Sequence, residues 1–363
     1  MRIGLLIYGN LQAVSGGYLY NRKMVEYLRN QGEQIEIISL PQGNYWQQLG
    51  HNFSQVCFRQ IRAANIDILI QDAMVHPSLV LVNQQIIRQL KIPIISLVHL
   101  LNSFDHQPYY RAWLYRSVER QYFKTVTGII ANSQTTLAHL KTILKYRLPP
   151  NCIALPAGDH FDETTVNLDK LRNRILTSGP LRILVVGNVI RRKGLHVLIQ
   201  ALNHLPAESF QITVVGRLDM DPGYVNHIKQ LIQSSLLPDR VMLMGAIQGQ
   251  SLSALYHQHH VLVLPSAYES FGIVYLEAQQ FGLPVIGTTG GAAKEIIRHG
   301  ENGYLIHPED SKGLAQLLNR LQQDRQQLLT LSQNALTAFS THPKWHESIA
   351  IIHQFLQAHL KIA

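Results

Sequence analysis

The chain has 363 residues, a mass of 41.1 kDa and a formal net charge of +9. Its 46% apolar content is enough for about two domain cores and excludes a disordered or fibrous chain, while charged residues are only 15% against a usual share of about 25%. Residues 1–160 hold 15 Lys and Arg against 8 Asp and Glu, and residues 161–363 hold 17 against 15, so the basic excess sits in the first half and points to an anionic partner there. No apolar run reaches the roughly 18 residues that span a bilayer. Cys57 and Cys152 stand far apart, without disulfide-framework or zinc spacing. The opening MRIGLLIYGN runs straight into a glycine turn without a cleavage site, so a cytoplasmic location is expected.

In chain order, short β-branched runs at 2–8, 34–39, 66–71, 92–99, 128–132 and 152–156 read as buried strands, separated by amphipathic stretches such as 17–31 and 79–90. A polar stretch, 161–180, ends in Thr-Ser-Gly-Pro and reads as a linker. The alternation then restarts, with strands at 181–186, 211–215, 241–244, 261–265, 284–287 and 303–306 and helices at 194–205, 224–234, 251–258, 273–280 and 312–332. Strands alternating with helices indicate βαβ units and parallel sheets. The expected organisation is α/β: two Rossmann-like domains, 1–160 and 181–340, facing across a cleft, with a last helix in 341–363 that either completes the second or crosses back to the first. Parallel sheets bind ligands beyond the carboxyl ends of their strands, so the loops there are the places to look for chemistry.

Three such loops are unusual. Ser15-Gly16-Gly17 lies between the first strand and its helix, where paired glycines admit a ligand close to the backbone and the helix start offers unpaired N–H groups. A tight structural turn would look the same. The run Gly187-Asn-Val-Ile-Arg-Arg-Lys193-Gly194 gathers three cations in one loop, which suits a diphosphate. The strongest signal is the apolar strand ending at Pro265, followed by Glu269-Ser270-Phe271-Gly272-Ile273 and a helix carrying Glu277 among apolar neighbours. A carboxylate in such a place needs hydrogen-bond donors, and sugar hydroxyls qualify. Gly282-Leu-Pro-Val-Ile, Gly290-Gly291 and Glu295 follow.

Taken together, Glu269-x7-Glu277, the GLPVI–Gly290-Gly291–Glu295 run, Lys193-Gly194, Asn302-Gly303, Ser15-Gly16-Gly17, His99 in LVHLL, Asn132-Ser133 and Pro156-Ala-Gly-Asp159 resemble glycosyltransferase family 4, of GT-B architecture, over about residues 1–310. The resemblance implies a retaining transfer of a hexose from a nucleotide-diphosphate sugar, UDP expected ahead of GDP, with neither metal nor other cofactor. It implies that Glu269 contacts the donor sugar, with Ser270, Ile273 and the N–H groups of Phe271 and Gly272 around it. Glu277 is implied to bind the ribose, Lys193 the diphosphate, and His99 to lie near the transferred sugar, with Gly16 and Gly17 closing over the donor. Asn188 stands where many members have Arg, so Arg191 or Arg192 supplies the missing charge. Gly216, Arg217, Gly245 and Ala246 are the expected surroundings of the base.

Asp219-Met220-Asp221 imitates a metal-binding DxD, but Pro222-Gly223 makes it a turn with two solvated carboxylates. His257, His259 and His260 read as a helix end and not as metal ligands. Aromatic and basic residues coincide at 45–62 (Tyr45, Trp46, Phe53, Phe58, Arg59, Arg62) and at 109–124, around Trp113. They suggest an enzyme peripheral on the cytoplasmic face of an anionic membrane, acting on a lipid or glycolipid. A soluble or polysaccharide acceptor, and a nucleotide-sugar epimerase on the same fold, remain alternatives. A nucleic-acid binder fits less well, because the charge is diffuse and the loop carboxylates repel phosphates.

Overall fold

The computed structural model describes residues 1–104, 109–145, 148–161, 166–235 and 239–360. It divides into two units, Met1–Pro156 with Pro343–Ala363, and Ala157–His342. The first is built on β1 (Arg2–Tyr8), β2 (Gln34–Leu40), β3 (Ile68–Asp72), β4 (Ile94–Val98), β5 (Gly128–Ala131) and β6 (Asn151–Ile153). These form a parallel sheet of order β2-β1-β3-β4-β5-β6. The second is built on β7 (Leu181–Val186), β8 (Phe210–Val215), β9 (Val241–Leu243), β10 (Val261–Val263), β11 (Val285–Thr288) and β12 (Gly303–Ile306). Its order is β12-β11-β10-β7-β8-β9, again parallel. Helices cover both faces of such sheets, which is why β3, β4 and β10 are apolar or buried at every position rather than alternating. No helix among the described residues is long and apolar enough to cross a membrane.

In each sheet the order reverses at one place, between β1 and β3 in the first and between β7 and β10 in the second. Loops at the carboxyl ends of those strands flank the crevice where open parallel sheets take their ligands.

Several expectations need correcting. The stretch 161–180 is not a plain linker: it contains the helix Leu168–Leu176, capped by Asn167 and belonging to the second unit. Only Leu171 and Ile175, one turn apart, face inward, so charged neighbours hide the pattern in the sequence. Residues 162–165 of that stretch lie outside the described ones. The single helix expected at 312–332 is two, Ser311–Gln323 and Arg325–Thr341. Asp324 leaves the helical conformation between them and accepts from the Gln327 N–H, starting the second. The stretch 79–90 is an α-helix, Val80–Gln85, continued by a π turn, Ile86–Leu90.

The helix Trp345–Leu360 packs in the first unit. Trp345 meets Tyr20 edge-on at 5.4 Å, and His353 Nε2 lies 2.7 Å from Glu33 Oε1. Gly128, on β5, gives room for this helix: a Cβ there would lie 2.8 Å from His359 Nε2 and 3.1 Å from Phe355.

Arg174 ties the helix Leu168–Leu176 down. Its guanidinium donates to the carbonyls of Tyr256 and His257 at the end of the helix Gly249–Gln258, and to those of Phe281 and Gly282 past the helix Ile273–Gln280, at 3.0–3.3 Å. Two helix C-termini, each with orphan carbonyls and a partial negative charge, converge on one half-buried cation. Burial, with Arg182 adding to it, lowers Arg174 to about 10, so it stays charged at pH 7. Arg174→Leu strips donors from four carbonyls and should cost about 3 kcal/mol in urea unfolding. Arg174→Lys should recover only part, because an ammonium cannot fork between two helix ends.

Candidate active site

The site in the second unit lies at the β7/β10 reversal. Beyond β7, Gly187 turns the chain, and a 3₁₀ turn, Arg191–Lys193, leads to Gly194 in the left-handed conformation (φ +70°). Only glycine fits there, because a Cβ would lie 2.0 Å from the Pro265 carbonyl oxygen at the mouth of β10. That close approach brings the two loops into register, with the Ala267 N–H donating to Arg192 O at 2.8 Å.

Glu269 occupies the centre and is 6% exposed. Its Oε1 lies 2.6 Å from Lys193 Nζ and 3.8 Å from Arg192 Nη1, and accepts from Ser266 Oγ at 2.7 Å. Burial pushes this carboxyl up, but Lys193 and then Arg192 outweigh it and hold it below its ordinary value. The backbone around it is clamped: Glu269 N donates to Gly290 O at 3.0 Å and Ala292 N to Glu269 O at 2.8 Å. Gly290 and Gly291 leave no room for side chains, since a Cβ at either would meet the carbonyl oxygen of Ala267 or Glu269. The glycine pair after β11 is therefore the backbone seat of the carboxylate.

Of the two candidate arginines, Arg192 turns to this loop and donates to Tyr268 O at 2.8 Å, whereas Arg191 lies over the Tyr224 ring at 5.9 Å. Ser270 and buried Phe271 follow, then Gly272 (φ +96°) caps the helix Ile273–Gln280. Glu277 is buried inside that helix. Its Oε2 accepts from Tyr256 Oη at 2.6 Å, and its Oε1 lies 3.3 Å from His160 Nε2. Gly158 lets the chain pass close enough for this, because a Cβ there would lie 2.8 Å from Leu276 Cβ. The expected base surroundings are also assembled: Gly216 N donates to Gly245 O at 2.8 Å, and Arg217 N to Asn188 Oδ1 at 3.3 Å. Ala246 follows and is exposed.

Gly16, Gly17 and His99 belong to the first unit. Ser15 caps the helix Gly16–Asn30, accepting from Tyr18 N. Gly17 lies against His99, whose Cδ2 would be 3.4 Å from a Cβ at 17. His99, at the end of β4, is 7% exposed. Its Nε2 lies 3.0 Å from Asn21 Oδ1, and its carbonyl accepts from Asn132 Nδ2. Neither Asn21 nor Asp72, its further neighbour, stands out in the sequence, nor do Ser266, His160 and Tyr256. Only Gly17 and Gly158, as points of close approach, hinted at packed polar side chains nearby.

Asp219 makes a two-point pair with Arg217 on the surface, and Asp221 is not simply solvated but caps the helix Pro222–Gln233. The ring nitrogens of His259 and His260 are occupied by Leu255 O, Thr213 Oγ1, Arg182 N and Arg174 O.

Trp46, Phe53 and Trp113 are 70%, 82% and 65% exposed, and Arg59 and Arg62 are exposed as well. Tyr45 departs from the expected surface: it is half-buried, its ring 4.3 Å from that of Tyr115, because it packs the helix Tyr45–Gly50 onto its neighbours. Phe58 is core, facing inward from the helix Gln55–Ala64 with Cys57 and Ile61. The side chains of Tyr109 and Tyr110 lie outside the described ones.

The two parallel sheets with flanking helices define the GT-B glycosyltransferase fold. Sucrose-phosphate synthase from Thermosynechococcus elongatus matches with a TM-score of 0.85 at 22% identity over 100% of both chains. Anabaena HepE, in complex with UDP-glucose, matches with 0.78 at 20% identity over 99% of this chain and 100% of that one. Residues 169–337, nearly all of the second unit, match the family of glycosyl transferases group 1. A D-inositol 3-phosphate glycosyltransferase from Xylanimonas cellulosilytica is 33% identical over 168 residues, 46% of this chain. The matched stretch spans 40% of that relative's own length.

Proposed function

We propose that the chain is a retaining, family-4 glycosyltransferase that moves a hexose from a nucleotide-diphosphate sugar to a lipid-borne acceptor at an anionic membrane surface. The observation that carries this reading is the buried Glu269 carboxylate held between Lys193, Arg192 and Ser266, at the reversal of a parallel sheet and beside a glycine-capped helix start. A diphosphate draws Lys193 and Arg192 toward itself, and Glu269 then accepts from sugar hydroxyls with its freed oxygens. In the transfer, an acceptor hydroxyl oxygen bonds to the anomeric carbon as its bond to the diphosphate breaks, and the hydroxyl proton passes to a diphosphate oxygen. The two protein cations stabilise the leaving charge without calling on a metal. Glu277, beside Tyr256 and His160, accepts from the ribose. UDP is the proposed nucleotide, the relatives' complexes with UDP-sugar being the support.

The lipid acceptor rests on exposed Trp46, Phe53 and Trp113 in a unit rich in Arg, since aromatic rings suit the interface and each basic residue near an anionic leaflet adds about 1 kcal/mol. Anionic liposomes bearing a glycolipid, incubated with UDP- and GDP-sugars with and without a chelator, test all parts. The expected result is label in the lipid phase at a rate the chelator leaves within about twofold. Salt-sensitive co-flotation should also appear, weakened by Arg59→Glu with Arg62→Glu. Absence of flotation at low salt, or label only in soluble glycan, overturns the lipid acceptor. Interconversion of sugars without acceptor marks an epimerase, and no donor turnover at all overturns the transferase.

A further inference from the structure

Next to His99, at the β1/β3 reversal of the first sheet, the hydrogen bonds leave one assignment of every proton. Asp72, the last residue of β3, accepts from the Met74 N–H with Oδ1 at 3.0 Å. Its Oδ2 accepts from Asn21 Nδ2 at 2.8 Å. A carboxylate has no proton to give, so it is the amide NH₂ of Asn21 that faces it. The Asn21 carbonyl oxygen therefore faces His99, and, being an acceptor only, it takes its proton from Nε2 at 3.0 Å. Asp72 Oδ2, 3.8 Å from the same Nε2, favours a proton there as well. The ring is fixed in angle by Tyr20, which meets it edge-on at 5.0 Å and is itself anchored by its hydroxyl to Ala154 O at 2.9 Å. Burial lowers the His99 pKa, with Asp72 opposing, so the ring is neutral at pH 7. A neutral ring protonated on Nε2 has a bare lone pair on Nδ1.

We propose that Asp72 and Asn21 are positioning residues that lock His99 in its Nε2–H form, so that Nδ1 is offered as a hydrogen-bond acceptor to a hydroxyl of the transferred sugar. The assignment rests on the transferase reading only for the identity of the ligand. It selects a hydroxyl over an anionic or purely accepting group at that place on the sugar, because a lone pair repels both. The relay also explains why polar residues at the end of β3 and in the first helix are buried at a loop crevice: each leaves the next one a single orientation.

Asp72→Asn is nearly isosteric and inverts the chain of donors. Met74 N–H still requires an acceptor, so the new amide turns its NH₂ toward Asn21, which flips and presents its own NH₂ to His99. His99 must then accept on Nε2 and carry its proton on Nδ1. Long-range proton–nitrogen spectra of ¹⁵N-His protein, with His99→Gln for assignment, read this directly. The wild type should show a protonated Nε2 and a bare Nδ1, and Asp72→Asn the reverse. In donor turnover, Asp72→Asn should lower kcat tenfold or more with KM for the nucleotide sugar within threefold, and Asn21→Leu should do the same. A wild-type ring protonated on Nδ1, or a tautomer that Asp72→Asn leaves untouched, overturns the proposal whatever the kinetics. If the spectra behave as stated while the wild type turns over no nucleotide sugar, the lock stands and it is the transferase reading that fails.

Discussion

Glu269→Gln should keep the fold and lose turnover by a hundredfold or more, a cost of about 3 kcal/mol in transition-state stabilisation. The amide can still accept from Ser266 and Lys193, which now lie 2.7 Å and 2.6 Å from Oε1, so the loop keeps its shape. What disappears is the negative charge that Lys193 and Arg192 balance. With that pair neutralised, both cations are more available to a diphosphate, so affinity for the free nucleotide should hold or rise while kcat falls. Calorimetry and steady-state rates on one preparation separate the two effects. A variant with near wild-type kcat removes Glu269 from the chemistry. Lys193→Ala should show the opposite split, with weaker nucleotide binding and a buried carboxyl left to Arg192 and Ser266. Its Glu269 should titrate higher than in the wild type, because the strongest opposing charge is gone.

Acid should unfold the second unit steeply, beginning near pH 6.5. His260 is lowered to about 3, chiefly by burial and then by Arg182 and Arg325, and His259 to about 4, again chiefly by burial. Both folded values lie below the about 6.5 of an unfolded histidine, so their contribution is complete above that pH and is lost as the pH falls toward the folded values. Over that window the unfolded chain holds two more protons than the folded one, giving a slope of about 3 kcal/mol per pH unit. In the first unit the balance differs: His76, lowered to about 4 by burial, and His99, also lowered by burial, work in the same direction, but Glu119, raised to about 7 by burial, offsets part of their effect. Amide exchange followed from pH 7 to 4.5 should therefore show protection falling faster in β7, β8 and β10 than in β1, β3 and β4. Equal loss in both sheets, or no loss above pH 4.5, contradicts this.

The strands and the glycine loops were legible because they are local statements. A run such as Val261-Leu-Val-Leu-Pro is apolar on both faces only in a covered parallel sheet, and Gly290-Gly291 marks a backbone approach whatever lies opposite. Glu269 and Lys193 could be read as a site since each sits in such a loop. Their contact could not, because 76 residues separate them and the strand order decides it. Asn21 and Asp72 were invisible for the same reason: an Asn in a helix and an Asp at a strand end are ordinary until the sheet sets them side by side. The helix Leu168–Leu176 failed differently. Two buried positions in nine give almost no period, and the helix exists because Arg174 and Leu171 dock on parts of the same unit made later in the chain.

The return of the helix Trp345–Leu360 to the first unit sets an order of events during synthesis. Domains tend to fold as their residues emerge. The first sheet is complete at Ile153, but the helix that covers Tyr20, and the His353 that meets Glu33, are translated only after all of the second unit. Until then the nascent first unit presents the Tyr20 ring and the Glu33 carboxylate to whatever is near. The second unit, continuous in sequence, is free to finish first. The first-born half of the protein is thus the last to be closed.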